Sequence, residues 1–156
     1  MSGAGGLLAV LVLVVANGFF VAAEFSLVAV RRSRVIELAA SGRMNAAALV
    51  RALDHLDSNL AATQLGITIS SLALGWIGEP AIAHLIEAPL AELWGTTGGI
   101  SAYAIAVGIS FVLITALHIV LGELAPKSLA LQRSESTALW VVRPLSLFRW
   151  LLSPAI

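Results

Sequence analysis

Gly122-Glu123-Leu124-Ala125-Pro126-Lys127 closes a long apolar run that begins at residue 100. A carboxylate at that depth is costly in hydrocarbon unless it is paired or put to use. Pro126 has no N–H, so within a helix the carbonyl of Gly122, four residues earlier, loses its usual donor. An acid beside a freed carbonyl is a pair of oxygen ligands suited to a hard cation. The plainer alternative is an interfacial Glu123 beside Lys127, which lies four residues on and so shares its helix face.

The rest of the chain explains why this stretch lies at a membrane edge. Hydrophobic residues make up 59% of the 156 and charged residues 12%, against about 25% charged in ordinary soluble domains. That length holds three or four passes of roughly 20 apolar residues each. Formal net charge is zero, which gives a nucleic-acid partner no electrostatic support. There is no cysteine, and so neither a disulfide nor a thiolate metal site.

The pattern predicts an all-α membrane protein, one transmembrane domain over 1–156. Its spans fall at about 7–30, 60–78 and 100–123. The first run contains Asn17, Gly18, Glu24 and Ser26 and ends in Arg31-Arg32-Ser33-Arg34. From 35 to 57 apolar and polar residues mix at helical spacing, and Ser41-Gly42 interrupts them, which predicts a cytoplasmic helical hairpin. Trp76 suits the interfacial belt and Pro80 a helix stop after the second span. The stretch 81–99, broken by Pro89, Gly95 and Gly98-Gly99, predicts an outer loop with short interfacial helices at 82–86 and 90–94. Juxtamembrane amphipathic helices are predicted at 127–152, with a split at Pro144. Arg143 sits mid-segment there, and about 3 kcal/mol for a centred arginine weighs against the alternative of a fourth span. All nine Lys and Arg follow span one or span three, whereas the opposite loop carries Glu79, Glu87 and Glu92 and no base. That asymmetry places the amino terminus outside and the carboxy terminus in the cytoplasm.

Polar side chains inside the spans carry the chemistry. Glu24 and Asn17 are seven apart, about 20° from one another around a helix. Ser26 points nearly opposite to Glu24 and joins the same cavity only if the helix is distorted. Gln64 and Ser71, and Thr63 and Ser70, are also seven apart and give span two a polar strip, although Ser and Thr are equally common as packing residues between membrane helices. His118 reads as a packing or hydrogen-bonding residue. No pair of histidines has zinc-ligand spacing. No glycine-rich phosphate loop or Ser-His-Asp set is present, so the chain does not read as an enzyme. The metal candidates are Glu24, Ser71, Gly122 and Glu123, with Ser70, Ser26 and Asn17. That oxygen-only set favours Mg²⁺, Ca²⁺ or Na⁺ over transition metals.

Three segments carry a resemblance: Asn17-Gly18-Phe19-Phe20-Val21-Ala22-Ala23-Glu24, Gln64-Leu65-Gly66 through Ser70-Ser71-Leu72, and Gly122-Glu123-Leu124-Ala125-Pro126-Lys127. With them the chain resembles the transmembrane domain of the CorC/cyclin M (CNNM) family of magnesium transporters, over nearly its whole length. The last segment is the most specific. The resemblance implies a homodimer in the plasma (inner) membrane that exports Mg²⁺, coupled to Na⁺ uptake. It also implies a cytoplasmic CBS-domain pair after residue 156 that binds ATP and regulates transport. The family's metal shell carries over onto Glu24, Ser71, Gly122 and Glu123. Many relatives have serine where this chain has Val21 or Ala23, and asparagine where it has Ser71, so the first-span serine does not carry over. A reading of a different class is a membrane anchor and dimerisation module that moves no ion and only presents a regulatory domain.

Overall fold

The computed structural model describes residues 3–94 and 102–152. The breaks placed at Gly95 and Gly98-Gly99, and the first residues of the third span, lie outside the described residues. Among those described there is no strand. Helix α1 covers Gly3–Ala29, α2 Arg32–Ala40, α3 Ala46–Asp54, α4 Leu56–Ala73 and α5 Glu79–Trp94. Then come α6 Ala102–Leu117, α7 Ala125–Gln132 and α8 Ser134–Leu151. A π-helical turn, Leu74–Gly78, joins α4 to α5 without a break, and a second, His118–Leu124, joins α6 to α7.

Among the described residues three helices are therefore long and apolar enough to cross a membrane: Ala4–Ala29, Leu56–Glu92 and Ala102–Gln132. The second, of 37 residues, is about 55 Å long at 1.5 Å per residue, well beyond a hydrocarbon core of about 30 Å. Pro80 does not stop it, contrary to expectation, and the short helices expected at 82–86 and 90–94 are one continuous α5. The physical reason is local. Pro80 is the second residue after a π turn, where the widened helix relieves the clash between the ring and the preceding turn. Pro126 holds the same place after the second π turn. Likewise Pro144 does not split the last segment, and α8 runs through it. Pro144 and Arg143 are on the exposed face, while Ala138, Val141, Val142 and Leu145 are buried on the other. The backbone group that Pro144 leaves unbonded therefore lies away from the core. The actual break between juxtamembrane helices is at Arg133, where the backbone leaves the helical region (φ −131°, ψ 48°).

Helix α1 is the axis of the bundle. It runs antiparallel to α4–α5: Phe20 packs on Gly66, Asn17 meets Ser71, Val10 meets Gly78, and Gly6 meets Ala81. A Cβ on Gly66 would lie 2.5 Å from the Phe20 ring, so only glycine permits this approach. Helix α6 runs parallel to α1: Ile114 adjoins Gly78, His118 adjoins Asn17, and Lys127 stands over Phe25.

Two apolar clusters form the core. One, Val10, Val14, Leu74, Ile82 and Ile114, fills the half nearer the start of α1. The other, around Phe20, Leu27, Leu49, Val141 and Leu145, joins the end of α1 to α2, α3, α4 and α8. The α2–α3 turn needs two left-handed residues, Gly42 (φ 75°) and Asn45 (φ 68°), the residue types that tolerate that region. Asn45 Nδ2 then donates to the carbonyl of Leu139 on α8 (2.8 Å). Arg32 pairs with Asp54, and Arg34 with Glu37 (2.9 Å) and Glu135 (3.5 Å). The Glu37 hydrogen bond first, then the charge of Glu135, raise the Arg34 pKa above its ordinary value. All nine Lys and Arg lie on α2, α3, α7 and α8 or in the turns beside them.

Candidate functional site

The gap between the two apolar clusters is polar. Asn17, three residues after Val14 and three before Phe20, is completely buried on α1. A buried amide is costly unless its hydrogen bonds are made, and here three are. Asn17 Nδ2 donates to the carbonyl oxygen of Gly122 (3.0 Å) and lies 3.1 Å from His118 Nε2. Asn17 Oδ1 accepts from the Ser71 hydroxyl (3.1 Å). One side chain thus ties together all three spanning helices.

The second π turn makes this possible. Pro126 supplies no N–H to the Gly122 carbonyl, and the amide of Asn17 binds that oxygen from the side. A Cβ at Gly122 would stand 3.1 Å from Asn17 Nδ2 and 3.0 Å from His118 Cδ2. Gly18 performs the same service one residue on, where a Cβ would stand 3.0 Å from Pro126 Cγ. Glycine at both positions brings α1 against the turn.

His118 sits at the centre of the group. Its Nε2 is 3.2 Å from Ser71 Oγ and 3.5 Å from Glu123 Oε1. The Glu123 side chain is half exposed, at 48%. Glu123 does not pair with Lys127: the Lys127 ammonium lies 4.4 Å from the centroid of the Phe25 ring instead, a cation–π contact. Asn17 Oδ1, Ser71 Oγ, the Gly122 carbonyl and the Glu123 carboxylate form one oxygen group supplied by three helices. Oxygens of this kind, one of them charged, suit a hard cation. Among the described residues no three His, Asp or Glu side chains gather as a metal-binding group, so the set depends on amide, hydroxyl and backbone oxygens.

Of the residues picked from sequence, the structure brings together Asn17, Ser71, Gly122 and Glu123. It does not bring Ser70, whose hydroxyl donates to the Gly66 carbonyl of its own helix (2.8 Å). Nor does it bring Ser26, which donates to Ala23 O (3.1 Å); α1 is unbroken there, so the distortion that would turn Ser26 inward is absent. Glu24 is half-buried, about 10 Å further along α1 than Asn17 at 1.5 Å per residue. It makes no hydrogen bond or ion pair among the described residues. His118 belongs to the group, whereas its place in the sequence suggests packing or a lone hydrogen bond. The signal that points to it is an ionisable ring inside an apolar span, four residues ahead of Gly122.

The chain matches the cyclin M transmembrane N-terminal domain over residues 7–156. It is similar to the UPF0053 protein YhdT of Bacillus subtilis (strain 168), 45% identical over 145 residues, which cover 93% of this chain and 31% of that protein. The UPF0053 protein YugS of the same organism is 39% identical over 150 residues (96% and 34%). The uncharacterized protein Rv1841c of Mycobacterium tuberculosis (strain ATCC 25618 / H37Rv) is 39% identical over 146 residues (94% and 41%). The chain therefore spans about a third of the length of the first two relatives and about two fifths of the third. Matched along nearly its whole length, with three helices able to span a membrane, the chain belongs to the cyclin M transmembrane N-terminal domain family.

Proposed function

We propose that this domain carries Mg²⁺ across the plasma membrane, outward and coupled to Na⁺ uptake. The observation that carries the reading is the oxygen group between the two apolar clusters, supplied by all three spanning helices. Glu123 supplies charge, and Ser71, Gly122 and Asn17 supply neutral oxygens. Glu24, further along α1 toward the basic end, is the second carboxylate on the ion's way. The basic residues at that end support an outside amino terminus and a cytoplasmic carboxy terminus. Gly108 has open space around it, and small residues let membrane helices approach closely, which supports a homodimer. The greater length of the relatives leaves room for a regulatory CBS-domain pair beyond residue 156.

The test is Mg²⁺ flux from proteoliposomes, with and without an opposing Na⁺ gradient. Wild type should move Mg²⁺ faster with the gradient, and Glu123→Ala should fall to the protein-free rate. Equal flux in the two proteins removes the site assignment. No protein-dependent flux in either favours an anchor that carries no ion.

A further inference from the structure

A second space adjoins Ser71 and His118. It is a cavity of about 230 Å³ beside the first π turn, and its walls include Ser71, Glu79, Phe111, Ile114, Thr115 and His118. Glu79, half-buried, opens α5 at this wall. Neither its carboxylate nor the Thr115 hydroxyl has a hydrogen bond or ion pair among the described residues. All nine Lys and Arg are on α2, α3, α7, α8 and their turns, and His84 on α5 lies against Glu87 (3.6 Å). A negative charge in a partly enclosed, largely apolar wall, with His118 in the wall but no lysine or arginine, attracts a cation.

The cavity has room for about seven waters at roughly 30 Å³ each. That suits an ion that keeps its water shell, and Mg²⁺ gives up its waters reluctantly. His118 and Ser71 belong to this wall and to the oxygen group at once: Nε2 is 3.2 Å from Ser71 Oγ and 3.5 Å from Glu123 Oε1. We infer that the cavity is a separate station for a hydrated divalent cation, held through its waters by Glu79 and Thr115, with the His118 ring as the partition before the Ser71–Gly122–Glu123 oxygens. This rests on the transport reading, and adds to it a second place for the ion on the amino-terminal side.

The chain holds no cysteine, so a cysteine at Gly75, which lines the cavity and has open space around it, is the sole thiol within it. The probe is a membrane-impermeant trimethylammonium methanethiosulfonate added from the amino-terminal side of membrane vesicles, with Val112→Cys on the exposed apolar face of α6 as the control. Modification of Gly75→Cys should outpace that of Val112→Cys. It should slow about tenfold at ten times the Mg²⁺ concentration giving half-protection, but not in NaCl of equal ionic strength. Adding Glu79→Gln should abolish the Mg²⁺ protection while a neutral thiol reagent reacts as before, which shows the fold is kept. Protection should survive Glu123→Ala, so the station and the flux reading can fail separately. Equal protection by Na⁺, protection that survives Glu79→Gln, protection lost in Glu123→Ala, or no Mg²⁺ effect overturns the inference.

Discussion

At the scale of single residues, Asn17 does the most. Its amide is buried among apolar layers and holds partners on both other spans. Replacing it with leucine leaves the Gly122 carbonyl and the Ser71 hydroxyl without that partner, which costs about 1–3 kcal/mol. Denaturant or thermal unfolding in detergent should show that loss for Asn17→Leu, and a stability within error of wild type would contradict the linking role. Asn17 stands out in the sequence as an amide inside an apolar span. Its link to Gly122 does not, because no local spacing relates residues 105 positions apart. His118 is harder still to read: a lone histidine has no periodic partner, and its position against Ser71 and Glu123 depends on how three helices dock.

At the scale of elements, the two π turns decide the geometry. Each is followed, at the second residue of the next α-helical stretch, by a proline. Pro126→Ala restores an N–H that can compete with Asn17 for the Gly122 carbonyl and removes one reason for the wide turn. Because alanine is the better helix former, the variant should unfold no more easily than wild type, yet bind Mg²⁺ more weakly. Titration of both proteins checks this, and unchanged Mg²⁺ affinity would detach the turn from the site. Apolar runs and the Ser41-Gly42 break make the spans and the α2–α3 turn legible in the sequence. The prolines mislead at Pro80 and Pro144 because sequence spacing does not say whether a proline follows a wide turn or lies on an exposed face.

For the whole molecule, the sorting of charge is the strongest global feature. Every Lys and Arg lies at the end where α1 finishes and α4 begins or on the juxtamembrane helices packed there. This predicts that a cysteine at Met44, 75% exposed in the α2–α3 turn, reacts with an impermeant maleimide in permeabilised cells and not in intact ones. Labelling from outside would reverse the proposed orientation. Span number and the proposed orientation follow from composition and from the order of charged and apolar residues along the chain. The polar layer between two apolar cores is instead a property of packing, and only the docking of α1 against α4 and the second π turn creates it.

The central claim is that oxygens from three helices bind Mg²⁺ with Glu123 as the charged member. The most direct measurement is the Mg²⁺-dependent increase in unfolding free energy of the purified protein, wild type beside Glu123→Ala. Wild type should gain about 2.7 kcal/mol from this site at a hundredfold excess over its dissociation constant, and Glu123→Ala should lose that contribution. An equal gain in both proteins would contradict the claim.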